Sequence, residues 1–198
     1  HAPSTPSACA GSPVDNRVAS ADTRATATQG STATPRVALV TGAGKRLGRA
    51  IALALAQDGW DIGVHCRDSV AEAEQTVEEI RAQDRRAVVL QADLDDAAQC
   101  QMLVPRLADA LGPVSGLVNS ASRFEHDDIR SFTPESLQQH LVPNLMAPLL
   151  LAQSLASQLP AAPVQGVIVN LLDQKLFNLN PDFLSYTLSK AALSAATT

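Results

Sequence analysis

From position 36 onward, short apolar runs alternate with stretches whose apolar residues recur every three or four positions. Runs at 36–41, 61–66, 86–91, 114–119 and 166–172 read as strands. Between them, Leu47, Ala50, Ile51, Ala54 and Leu55 follow helical spacing, and so do Val70, Ala73, Val77 and Ile80. Ala97, Cys100, Leu103, Val104, Leu107 and Leu111 form a third stripe. Pro105 lies inside it, where a kink is expected, and Gly112-Pro113 closes it. A long helix is expected over 134–158, bent by Pro143 and Pro148. A last helix starts near Ser185 and is cut off at Thr198.

Strands without polar alternation are buried on both faces. Strict alternation of strand and helix predicts a parallel, doubly wound α/β sheet of the Rossmann type across 36–198. Residues 1–35 break the pattern, being rich in Ala, Ser, Thr and Pro with almost no large apolar side chain. Such a segment cannot offset its ordering entropy and is expected to be disordered. Arg17 and Arg24 suggest a transit peptide, but Asp15, Asp22 and the lack of an apolar core speak against one.

Composition narrows the function. The chain is 45% hydrophobic but only 3% aromatic, so its core is aliphatic. A formal net charge of -5 without a basic stripe argues against nucleic acid or an anionic membrane as partner. No apolar stretch has the length of a membrane span. Cys9, Cys66 and Cys100 are scattered, which fits a reducing, cytoplasmic setting and offers neither a disulfide framework nor metal-ligand spacing. The first residue is His1, so a fragment or processed product is expected.

The first run ends in Thr41-Gly42-Ala43-Gly44-Lys45-Arg46-Leu47-Gly48, and a helix follows at once. Glycines there permit a tight turn and close approach of the backbone to a pyrophosphate. The helix start offers unpaired N–H groups and a partial positive charge. In this strand-turn-helix setting the pattern points to a dinucleotide. The second run ends His65-Cys66-Arg67, with no acid before Asp68. An acid at the strand end would accept from a ribose hydroxyl and favour NAD. Arg46 and Arg67 instead suit a 2′-phosphate, unless both are merely solvated. NADP(H) is therefore the expected cofactor. Asp93, after the third run, either bonds the adenine amino group or caps the next helix.

Tyr186 and Lys190 are four apart and share one helix face. A lysine beneath a tyrosine favours the phenolate and makes the tyrosine a usable acid or base. Asp173 lies thirteen positions upstream and could be a second proton-handling group.

Together these residues resemble the short-chain dehydrogenase/reductase family. Thr41-Gly-x-x-x-x-x-Gly48, Asn119-Ser120-Ala121-Ser122, Asn144 and Tyr186-x-x-x-Lys190 fall in the family's order and spacing, and the resemblance covers nearly everything from Arg36 to the end. It implies a strand order of 3-2-1-4-5, with further strands beyond Thr198. It implies that Tyr186 exchanges the proton, that Lys190 lowers the tyrosine's pKa and binds the nicotinamide ribose, and that Asn144 holds a water in the relay. With Tyr186 and Lys190, the expected cofactor-binding set is Gly42, Lys45, Arg46, Leu47, Gly48, His65, Arg67, Asp93, Asn119 and Ser122.

Most members carry serine where this chain has Asp173. An aspartate there is similar to pteridine reductases and dihydromonapterin reductases, as is Asn119-Ser-Ala-Ser122-Arg-Phe124. That resemblance implies hydride transfer from NADPH to a dihydropterin C=N bond, with Phe124 stacking on the pterin and Asp173 and Tyr186 meeting it. Asp173 would have a raised pKa and could itself serve as an acid; otherwise it is a cap in the loop after the fifth strand, and Phe124 plain packing. A carbonyl reductase and a non-catalytic nucleotide-binding module are the alternatives. Two departures bear on the relay: Ser120 stands for a second asparagine, and Pro143 directly precedes Asn144. The full-length protein is expected to form homo-oligomers.

Overall fold

A computed structural model describes residues 36–159 and 165–197. The predicted N-terminal segment, residues 1–35, and Cys9 within it lie outside the described residues. Five parallel strands form one sheet: β1 (Arg36–Val40), β2 (Trp60–Cys66), β3 (Ala87–Gln91), β4 (Val114–Asn119) and β5 (Val167–Asn170). Their order is β3-β2-β1-β4-β5, as expected. Helices α1 (Arg46–Gln57), α2 (Val70–Arg81), α3 (Ala97–Leu111), α4 (Pro134–Leu141), α5 (Ala147–Gln158) and α6 (Leu184–Ala195) connect or follow the strands.

Alternation along β1 divides the core in two. Val37 and Leu39 face a cluster with Leu103, Leu107, Leu151 and Leu155 of α3 and α5. Ala38 and Val40 face the opposite cluster, with Ala52, Ala56, Val77 and Ile80 of α1 and α2. Each strand residue is thus buried on one side or the other, which is why the sequence shows continuous apolar runs. β5 is the edge strand among those described, and Val167, Ile168 and Val169 are exposed.

Two helical expectations change. In α1 the buried positions are Gly48, Ala52 and Ala56, whereas Leu47, Ala50 and Ala54 are exposed. Small residues let this helix lie close to the sheet, and a stretch rich in alanine gives its apolar stripe little contrast. α3 runs from Ala97 to Leu111 through Pro105. Proline lacks the N–H that would serve the Gln101 carbonyl; Ser154 Oγ of α5 donates to that carbonyl instead, at 3.2 Å.

The long helix over 134–158 is two helices joined by a π-helical turn, Val142–Met146. Pro143 and Pro148 cannot donate in an α-helical ladder, and their rings crowd the carbonyl four residues back. The wider turn accommodates them, and Ala147 N–H donates to Val142 O, five residues back. The turn also carries Asn144, 1% exposed, into the interior.

The strand order reverses between β1 and β4, so their C-terminal ends border a crevice, the usual ligand position in such sheets.

Candidate active site

Thr41, just past β1, holds the crevice together. Its Oγ1 accepts from Ser120 N–H and Ala121 N–H, both at 3.0 Å. Gly42 follows at φ +65, in the left-handed region. Its N–H donates to His65 Nδ1 at 3.1 Å, and Ala43 N–H donates to His65 O at 2.9 Å. The other ring nitrogen, Nε2, faces Ala92 O at 3.1 Å. Only an Nε2–H tautomer satisfies both contacts, and burial pushes the imidazole's pKa down to about 4. His65, expected at the cofactor, is 2% exposed with both nitrogens taken, and it staples the glycine loop to β3.

Gly48 lies against the same loop. A Cβ there would stand 2.3 Å from the Gly42 carbonyl oxygen, so helix and loop meet in a way only glycine permits. Lys45, at the start of α1, pairs with Glu72 at 2.6 Å and supplies no side-chain cap. The first N–H groups of α1 therefore face the crevice without a side-chain acceptor. Arg46 opens the helix at φ 52, exposed, and Leu47 beside it is 60% exposed. The Arg67 guanidinium pairs with Asp68 at 2.8 Å. Asp93 is not the cap of α3, because Asp96 accepts from Ala98 and Gln99 N–H there. Asp93 Oδ1 instead accepts from Asp95 N–H at 2.9 Å in a tight turn.

Across the crevice, Asn119 ends β4 and donates from Nδ2 to Asn170 Oδ1 at 2.8 Å. Its own Oδ1 is buried and has no partner among the described residues. Asn144 is fully occupied. Its Oδ1 accepts from Arg123 N–H at 2.8 Å and Ser122 Oγ at 3.2 Å. Its Nδ2 donates to Arg123 O and Ser189 Oγ, each at 3.0 Å. The asparagine's side chain thus ties the loop after β4 to α6 and leaves no amide hydrogen or short acceptor contact for a relay water.

Tyr186 and Lys190 lie on one face of α6, both buried. Tyr186 Oη donates to Asp173 Oδ2 at 2.7 Å. Asp173 Oδ1 accepts from Lys175 N–H at 2.8 Å and caps the short 3-10 turn Gln174–Leu176. One carboxylate is thus both the cap of that turn and the acceptor for the tyrosine. Lys190 Nζ donates to Leu171 O at 2.9 Å and stands 5.8 Å from the tyrosine ring centroid. Phe124 is 54% exposed, stacks on Phe183 with centroids 4.3 Å apart, and meets Tyr186 edge-on at 4.6 Å.

The electrostatics reverse two expectations. Burial, and then the Asp173 hydrogen bond and charge, push the Tyr186 pKa up, with Ser122 pulling weakly the other way. The phenol is therefore stabilised, not the phenolate. Asp173 is not raised: the Lys175 N–H holds its carboxyl below the usual range, against a burial penalty, with help from Tyr186, Lys190 and Lys175. It is an acceptor, not an acid. Burial lowers the Lys190 pKa, and Asp173 opposes that.

A model of the family described as "short chain dehydrogenase" matches residues 36–198. The chain belongs to that family. Family relatives include an uncharacterized oxidoreductase of Methylorubrum extorquens, 34% identical over 81% of this chain and 63% of its own length. Among solved structures, the FolM alternative dihydrofolate reductase 1 of Brucella suis, in complex with NADP, is 38% identical. It superposes with a TM-score of 0.77 over 82% of this chain and 67% of its own. The landomycin C-6 ketoreductase LanV, with bound NADP and rabelomycin, is 29% identical with a TM-score of 0.74, over 81% of this chain and 67% of its own. The chain spans about 63% of the length of the first curated relatives it matches.

A dinucleotide fits the family site in this chain. The Gly42–Gly48 approach leaves no room for a side chain under the loop, and the start of α1 lacks a side-chain cap. The sequence reading did not single out Thr41, Asp127 or Ser189 for a role. Only burial of a short polar side chain distinguishes them, and one sequence does not reveal burial. Among the described residues no group of His, Cys, Asp and Glu is arranged to hold a metal, and no helix is long and apolar enough to cross a membrane.

Proposed function

We propose that this chain carries the nucleotide-binding and proton-donating part of an NADPH-dependent short-chain reductase that reduces a dihydropterin-type C=N bond. The observation that carries the substrate class is the carboxylate of Asp173 on Tyr186, at 2.7 Å, where the family resemblance leads one to expect serine. The likeness to the Brucella enzyme named as an alternative dihydrofolate reductase supports it.

When bound, the nicotinamide supplies the hydride that adds to the C=N carbon. Tyr186 supplies the proton to the ring nitrogen from Oη, the hydroxyl hydrogen turning from Asp173 Oδ2 to the substrate for the transfer. Asp173 orients the phenol and presents an acceptor to the amino side of a pterin. Lys190, held by Leu171 O, keeps a positive charge beside the anion that forms on Oη. Phe124 offers an exposed aromatic face for a flat ring. Gly42, Gly48 and the first turn of α1 hold the pyrophosphate, and Arg46 with Arg67 meets a 2′-phosphate, which favours NADPH over NADH. Free, buried Cys66 and Cys100 suit a reducing, cytoplasmic setting, and the full-length protein would self-associate.

The likeness to LanV favours a second reading, in which the tyrosine protonates a carbonyl oxygen. Loss of NADPH absorbance in the presence of dihydropterins, and separately of ketones and aldehydes, distinguishes the two. Turnover of dihydropterins that disappears in Tyr186→Phe is expected. Turnover of ketones alone supports the second reading. NADPH binding without turnover, indifferent to Tyr186→Phe, points to a non-catalytic module.

A further inference from the structure

Asp127, in the loop between β4 and α4, is 4% exposed and takes no part in the proposed chemistry. Every acceptor it owns is directed at α6 or α4. Its backbone carbonyl accepts from Leu184 N–H at 3.1 Å. Oδ1 accepts from Ser185 N–H at 2.9 Å. Oδ2 accepts from the hydroxyl of Ser185 and from that of Ser136 at 3.0 Å.

These are the groups that the start of α6 leaves unserved. Its flanking residue, Phe183, stands in the left-handed region at φ 59 and gives no side-chain cap. The first N–H groups of a helix need acceptors, and a carboxylate there also complements the helix dipole. Asp127 caps α6 from 58 residues away. The residue after Ser185 is Tyr186.

α4 backs the carboxylate. Ser136 forms a reciprocal cap with Thr133 at the start of that helix. One turn on, buried His140 faces Ser136 O through Nδ1 at 2.8 Å and accepts Glu125 N–H at Nε2 at 3.2 Å. Loop, α4 and α6 are therefore locked at one point, a single residue from the phenol that reaches Asp173.

We propose that Asp127 is a positioning residue, which clamps the first turn of α6 and so sets the Tyr186 hydroxyl on Asp173. Its importance for turnover rests on Tyr186 being the proton donor; the clamp itself does not.

Tyr186 is the single tyrosine of the chain, so tyrosinate absorbance in a pH titration reports it alone. In the full chain, the tyrosinate band develops above the ordinary range of about 10. Asp127→Ala brings it down toward about 10, lowers kcat with dihydropterin by about tenfold or more, and leaves the NADPH dissociation constant unchanged. Asp127→Asn keeps both near wild type. Its amide oxygen still accepts Ser185 N–H, and its NH2 donates to the serine hydroxyls while Ser136 Oγ turns to Thr133 O, 2.9 Å away. An Asp127→Ala chain that titrates like wild type overturns the proposal, and so does an Asp127→Asn chain as impaired as the alanine variant. If Asp127→Ala does not melt cooperatively, Asp127→Glu decides, because it keeps the charge but displaces the oxygens by a bond length. A lowered tyrosine titration supports the clamp, and an unchanged one refutes it. Absence of dihydropterin turnover in wild type, together with the shifted titration, removes the functional reading and leaves the clamp standing.

Discussion

Tyr186 Oη donates to Asp173 Oδ2 across 2.7 Å, while the other oxygen of the same carboxylate caps the turn at Lys175. The turn fixes the carboxylate, and the carboxylate fixes the phenol. The proton is thereby held on the tyrosine, the state that its proposed role as proton donor requires before transfer. A carboxyl that keeps its own charge cannot compete for that role.

Asp173→Asn should therefore lower the pKa of Tyr186, because it removes the negative charge that disfavours the phenolate but keeps an acceptor for the hydroxyl. The tyrosinate band should develop at lower pH than in wild type, with NADPH affinity unchanged. An unshifted band would mean that burial alone raises the phenol.

Gly48→Ala tests the glycine loop. The new Cβ would stand 2.3 Å from the Gly42 carbonyl oxygen and 2.9 Å from its carbon, both backbone atoms that cannot rotate away. The loop or α1 must move. A loss of about 1–3 kcal/mol in denaturant melts is expected, together with a clear weakening of NADPH binding measured by nucleotide fluorescence. Full retention of both would show that the loop yields freely.

Arg46 and Arg67 differ in surroundings, and their variants should differ too. Arg67 is paired with Asp68, whereas Arg46 opens α1 beside the glycine loop. Arg46→Ala should weaken NADPH by roughly tenfold or more, the worth of a charge-assisted hydrogen bond, and leave NADH unaffected. Arg67→Ala should do less. Equal losses for both nucleotides in Arg46→Ala would place the arginine away from the 2′-phosphate.

Much of the fold was legible in the sequence because buried parallel strands leave uninterrupted apolar runs, and β4 was bounded to the residue. The apolar face of α1 was not, since alanine looks alike on every side. The Gln101 carbonyl that Pro105 cannot serve is met by Ser154, 53 positions away, and no local pattern carries that. Tyr186, Lys190 and Asp173 could be picked out by spacing and resemblance, but the direction of their pKa shifts could not. Those shifts follow from burial and from which oxygen of Asp173 meets which hydrogen.

His65 makes the stability of the domain depend on pH. Its folded pKa is lowered by burial from 6.5 to about 4. As pH falls, the unfolded chain binds the proton first, so the folded state loses ground from about 6.5 down to about 4 and no further from this group. The full difference is about 3 kcal/mol. Protonation at Nδ1 in the folded state would also displace the Gly42 N–H, so NADPH binding should hold across that interval and weaken only as pH falls through about 4. Asp127 and Asp173, whose folded pKa values are lowered, contribute stability that is lost only below the unfolded carboxyl range of about 3.9, outside this window. Urea melts at a series of pH values should show the decline in wild type. In His65→Gln, which cannot titrate, the decline between about 6.5 and about 4.5 should flatten. A wild-type stability that stays level across that interval would mean that His65 titrates as it would in water and does not hold the loop as a neutral ring.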